Sequence, residues 1–117
     1  MRIRLDVEGT AMVATLEDTA VARDFAALLP LELSLDDYAS TERIADLPRK
    51  LSIAGAPAGT NAHAGDISYY APWGNLALFY RNSGNAKGLV RLGRLDDPRG
   101  VDALRRPGPL RAKIITL

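Results

Sequence analysis

Gly65-Asp66-Ile67-Ser68-Tyr69-Tyr70-Ala71-Pro72-Trp73-Gly74-Asn75-Leu76-Ala77-Leu78-Phe79-Tyr80 reads as two dense strands joined by a tight turn. Ile67–Ala71 and Leu76–Arg81 are rich in the aromatic and aliphatic residues that suit a pleated, buried surface. Between them, Pro72-Trp73-Gly74-Asn75 supplies the fixed φ of proline and the freedom of glycine that a turn uses. Five of the chain's aromatic residues fall within the twelve positions 69–80. As architecture alone this is a core hairpin, since tyrosine and tryptophan often bridge core and surface. As function it is one wall of an apolar pocket.

The flanking segments extend the β pattern. Ile3, Leu5 and Val7 alternate with Arg4 and Asp6, which predicts a half-buried strand. Glu8-Gly9-Thr10 turns the chain into a second strand from Ala11 to Leu16. Asp18 or Thr19 can cap a short helix whose stripe is Val21, Phe25 and Leu28, and Pro30 stops it. Leu31, Leu33 and Leu35 alternate with polar residues as a third strand. Tyr38 to Leu47 fits either a bent strand or an ordered loop. Leu47 to Asp66, with Pro48, Gly55, Pro57, Gly59 and Gly65, reads as a long loop. It serves equally as a binding surface or as a crossover at a barrel end. Asn82-Ser83-Gly84-Asn85 reads as a turn, Leu89–Leu95 as a strand, Asp97-Pro98 to Leu104 as a short helix, and Ala112–Leu117 as a closing strand. Seven to eight short strands with turn signals between them suit a barrel or sandwich, and pairing of the last strand near the first would remove exposed edges.

Composition narrows the function. The 117 residues fit one domain, 1–117. There is no cysteine, which excludes disulfides, thiolate metal sites and cysteine nucleophiles. Lys plus Arg number 15 against 14 Asp plus Glu, so the basic excess that nucleic-acid binding needs is missing. The basic stretch Arg105-Arg106 with Arg111 and Lys113 is broken by Pro107 and Pro109 and reads as a solvated loop. No run approaches the roughly 18 apolar residues of a membrane span. The N-terminus alternates polar and apolar residues, unlike a secretory signal, so a cytoplasmic protein is expected.

Individual residues yield little chemistry. His63 is the only histidine, and no second metal ligand stands at a useful spacing from it, so no metal site is expected. The glycines form neither a dinucleotide nor a nucleoside-triphosphate loop. Asp36-Asp37 and Asp96-Asp97 are neighbours whose side chains would point to opposite faces of a strand, which suits turns and caps better than acid–base work.

Leu47-Pro48-Arg49-Lys50-Leu51, Gly55-Ala56-Pro57-Ala58-Gly59 and the hairpin Gly65 to Tyr80, with Thr19 to Phe25 and Gly88 to Leu95, resemble the bacterial cyclophilin-like domain proteins. The resemblance spans nearly the whole chain. It implies a mainly β fold, a closed cyclophilin-like barrel with one or two short helices. Cyclophilins proper are prolyl isomerases, which lower a barrier of about 18–20 kcal/mol set by the partial double bond of the peptide C–N. By resemblance, Arg49 corresponds to the catalytic arginine, and Phe79 to the pocket phenylalanine. The chain departs from isomerases in having no glutamine. It also lacks their tryptophan and histidine near Leu89, since Trp73 sits in a different loop. The expectation is a binding module that holds a small molecule or an extended peptide beside Tyr70, Trp73 and Phe79, with Arg49 meeting a carbonyl or carboxylate. A weak peptidyl-prolyl cis-trans isomerase is the alternative, and an interaction domain acting as a homo-oligomer is a third. No cofactor is implied.

Overall fold

The computed structural model describes residues 1–117. Strict alternation makes Arg2–Val7 (β1) and Thr10–Leu16 (β2) a hairpin, which buries Ile3, Leu5 and Val7 on one strand and Met12, Ala14 and Leu16 on the other. Thr19 caps helix α1 (Ala20–Ala26), its hydroxyl accepting the Ala22 N–H at 3.2 Å, and the helix buries Val21, Ala22 and Phe25. There follow β3 (Leu31–Tyr38), β4 (Glu42–Asp46), β5 (Gly59–Ala62), β6 (Asp66–Tyr70), β7 (Asn75–Phe79), β8 (Ser83–Lys87) and β9 (Leu89–Leu95). A 3-10 helix (Pro98–Arg105) and β10 (Leu110–Thr116) end the chain. Asp97 caps the 3-10 helix by accepting the Arg99 N–H at 3.0 Å.

Eight strands close into an antiparallel barrel in the order β1-β10-β3-β4-β7-β6-β9-β2. The last strand lies along the first, from Ile3 opposite Thr116 to Val7 opposite Ala112, so the barrel has no free edge. The helix α1 joins strand ends at the rim marked by Arg2 and Thr15, and the 3-10 helix joins them at the rim marked by Val7 and Thr10. The two helices therefore stopper opposite mouths. Their buried residues, Phe25 and Leu104 among them, belong to one continuous core with the inward faces of the strands. Arg43 on β4 is buried with them, and its guanidinium donates to the carbonyls of Leu104 (2.9 Å), Gly108 (2.8 Å) and Arg106.

Two sequence expectations are corrected. Asn82–Asn85 is not simply a turn: Ser83, Gly84 and Asn85 begin β8. The long segment before Asp66 contains β5, which pairs with β8 outside the barrel as a two-stranded ribbon. Glycine, asparagine and alanine have little strand preference, so only their long-range partner makes these segments extended. The ambiguous stretch after Tyr38 turns sharply, with Ala39 and Ser40 at φ of 55° and 53°, and then enters β4. Asp37 stabilises that turn by accepting the Ser40 N–H at 3.0 Å.

Candidate functional site

All five residues of β7 are buried because both of its faces are covered. Leu76 and Leu78 point into the barrel core, while Asn75, Ala77 and Phe79 face outward by the period of two. Strand register continues this outer patch across the wall. Glu42 lies opposite Phe79 and Ile44 opposite Ala77, while Tyr70 lies opposite both Asn75 and Leu89. The ribbon covers part of the patch, forming a small second core of Ala62, Ala77, Phe79 and Leu89.

Beside the ribbon the patch opens into a cavity of about 190 Å³. Its floor is Glu42, Ile44, Asn75 and Phe79, and Ser83 and Ala86 of β8 form its roof edge. Tyr38, Tyr70, Trp73 and Leu89 complete the lining. Trp73 is 55% exposed and meets Tyr38 and Tyr70 edge to face, at centroid distances of 5.4 and 5.3 Å and interplanar angles of 81° and 85°. Perpendicular packing of this kind is the favoured geometry for aromatic pairs. The turn that carries Trp73 is fixed from below. The N–H groups of Trp73 and Gly74 donate to the Tyr70 carbonyl at 3.2 and 2.9 Å. Pro72 packs on Gly88, which has φ of 87° and where a Cβ would stand 2.7 Å from Pro72 Cδ.

The polar lining combines Glu42 and Asn75 with the hydroxyls of Tyr38, Tyr70 and Ser83 and the indole N–H of Trp73. Asn75 is 2% exposed; its Nδ2 donates to the Leu76 carbonyl at 3.1 Å, which sets the amide orientation. Its Oδ1 accepts nothing from the protein. Burial raises the Glu42 carboxyl from 4.5 to about 7, with no neighbouring cation to oppose it. No lysine, arginine or histidine lines the cavity.

The raised Glu42 value carries a sign for stability. The folded state holds the Glu42 proton more tightly than the unfolded chain, so the contribution is full below pH 4.5 and is lost as pH rises through about 7. Full linkage for a partly exposed group must be discounted for solvent screening, which leaves about 1–2 kcal/mol. Glu42→Gln is therefore expected to gain that much over the wild type between pH 5 and pH 8 in urea melts. A constant difference across that range would refute the assignment.

Of the residues singled out in the sequence, Tyr70, Trp73 and Phe79 share this cavity. Arg49 is not among its lining. Its guanidinium pairs with Asp24 of α1 through two bonds, at 3.0 and 2.8 Å, and Asp24 also accepts the Ser52 N–H at 2.8 Å. The Arg49 bond, followed by that from Ser52, holds the Asp24 carboxyl at about 2. Arg49 thus fastens the loop after β4 to the helix. The other two rings of the hairpin also leave the cleft. Tyr69 is buried in the main core, where its hydroxyl accepts the Leu51 N–H at 3.1 Å. The Tyr80 hydroxyl donates to Asp37.

Sequence reading missed Tyr38, Glu42 and Asn75. Alternation in β4 was the available signal, because it sets Glu42 and Ile44 on one face. A second cleft, of about 340 Å³, lies on the β5 side of the ribbon under Ala54–Pro57. Its charged groups satisfy each other, Arg91 Nε donating to Glu17 at 3.1 Å.

Comparison with known proteins agrees with this architecture. The sequence profile described as the cyclophilin-like family matches residues 5–114. The chain belongs to the cyclophilin-like family. The solution structure of the hypothetical protein AF2241 from Archaeoglobus fulgidus is similar, with a TM-score of 0.67 and 15% identity over 100% of this chain and 95% of that one. At that identity the likeness speaks to the cyclophilin-like fold alone. No curated protein matches the chain. No helix is long and apolar enough to cross a membrane.

Proposed function

We propose that this cyclophilin-like barrel is a binding module whose ligand seats in the cavity beside Tyr70, Trp73 and Phe79. The observation that carries the reading is Trp73. A large ring left half in water, held edge-on between two tyrosines above a cavity with a buried, unpartnered acceptor, is poorly explained by packing and well explained by a guest. At about 190 Å³ the space suits a small molecule or one side chain of an extended peptide. The prolyl-isomerase reading needs a guanidinium beside the Phe79 ring, and Arg49 is engaged with Asp24 instead.

Trp73 is the only tryptophan, so its emission reports the cavity directly. Titration with panels of amines, carboxylates, neutral alcohols and short peptides is expected to shift or quench that emission in a saturable way for at least one class. Tyr70→Ala should weaken the binding at least tenfold, while Arg49→Ala should leave it within twofold. Unchanged emission and unchanged amide NMR spectra with every panel would overturn the reading.

A further inference from the structure

The chemistry of the lining restricts the guest, and this step rests on the cavity being a binding site. Tyr38, Tyr70 and Trp73 line it as one edge-to-face cluster, and aromatic rings attract a cation by their quadrupole. The ionisable side chains in the lining are Glu42 and the two tyrosines, with no basic group among them. A guest that matches these features brings positive charge and N–H donors together. Once Glu42 is ionised, above about pH 7, a neutral guest leaves its charge uncompensated and a carboxylate is repelled by it. We infer that the cavity recognises a protonated amine, its ammonium held among Tyr38, Tyr70 and Trp73 with Glu42 as counter-charge and N–H acceptor. The amine belongs either to a free small molecule or to a lysine side chain of a peptide, since both present the same group.

The environment of Glu42 makes the binding depend on pH. From β3 it is faced by Tyr38, from β6 by Tyr70, from β7 by Phe79 and Asn75, and from β8 by Ser83 and Ala86. The nearby carboxylate Asp37 lies at the alternate position of β3 and is bonded to Tyr80 and Ser40. The only acid in the lining is therefore Glu42. As it loses its proton near pH 7, the counter-charge appears while an alkylamine stays protonated.

The test uses Trp73 fluorescence and amide NMR with n-butylammonium, tetramethylammonium, n-butanol and the peptide acetyl-Gly-Lys-Gly-amide. Butylammonium or the lysine peptide is expected to bind at least tenfold more tightly than butanol, and more tightly as pH rises from 5.5 to 8. Tetramethylammonium, which has charge but no N–H, should bind several-fold more weakly than butylammonium. Glu42→Gln should cost the amine about tenfold and leave butanol unchanged; the wild-type pH series gives the same answer should that variant misfold. Tighter binding of the peptide marks a side-chain guest, and tighter binding of butylammonium marks a free one. Equal affinities for butanol and butylammonium, with no pH dependence, would overturn the inference while leaving the cavity a binding site. Silence of Trp73 to all four probes, and to the other panels, would remove both.

Discussion

Arg43→Met is expected to cost about 3 kcal/mol of folding stability, the upper end for losing hydrogen bonds made by a charged group. A domain of this size holds only about 5–15 kcal/mol in total. The loss arises at the other end of the bonds. The guanidinium reaches from β4 to three carbonyls, those of Leu104, Arg106 and Gly108, where the 3-10 helix ends and the chain turns toward β10. Carbonyls at a helix end have no partner within the helix, and leaving the buried Leu104 carbonyl unbonded is costly, while those of Arg106 and Gly108 are partly open to water. Methionine keeps the volume and removes all three donors. Lysine keeps the charge but, as a point donor, lacks the planar fork that spans three acceptors, so Arg43→Lys should recover less than half of the loss. Urea unfolding measures both variants. If both lie within about 1 kcal/mol of the wild type, typical of an ordinary surface change, the clamp is dispensable and this account of the barrel mouth fails.

Gly93→Ala should be nearly as damaging, by about 3 kcal/mol, at the upper end of overpacking costs. At Gly93, β9 passes directly over β2. A Cβ there would lie 2.9 Å from Leu16 Cα and closer still to the Thr15 carbonyl oxygen. Both are backbone atoms, so neither can swing aside as a side chain would. The seam between β2 and β9 has only three paired positions, ending at Leu16 opposite Gly93. Relief of the clash therefore opens the barrel at a short joint. Against β6 the register shifts beside the same glycine, Ile67 lying opposite Gly93 and Ser68 opposite Arg91, so Leu92 of β9 is the extra residue. Gly84→Ala is the control. No atom stands within 4 Å of its Cβ position, and its melting temperature should match the wild type. Equal melting of Gly93→Ala and Gly84→Ala would rule out the steric account.

The barrel was largely legible from period and punctuation. Ile3, Leu5 and Val7 alternate cleanly, Thr19 caps, and the turn Pro72–Asn75 separates two dense strands, so local chemistry and final structure agree there. The ribbon was not legible. Gly59–Ala62 and Ser83–Lys87 carry no alternation, and they become strands only by meeting each other across the chain. The candidate site was half visible for the same reason. Tyr70, Trp73 and Phe79 stand out by composition, but Glu42 and Asn75 matter through register, which sets them beside those rings. Arg49 was assigned by its place before a loop, and chain position says nothing of the carboxylate on α1 that engages it.

Floor and roof of the cavity answer to different thresholds. The floor is cut into a closed cylinder whose strands brace one another on both sides. The roof edge belongs to a pair of strands bonded to each other and packed through Ala62 onto Ala77, Phe79 and Leu89. Partial detachment of such an appendage requires far less free energy than loss of the cylinder. For the proposed binding module, this predicts that a guest larger than the resting space displaces Ser83 and Ala86 while Glu42 and Asn75 stay in place, so that selection would turn on electrostatic match to the rigid side more than on size.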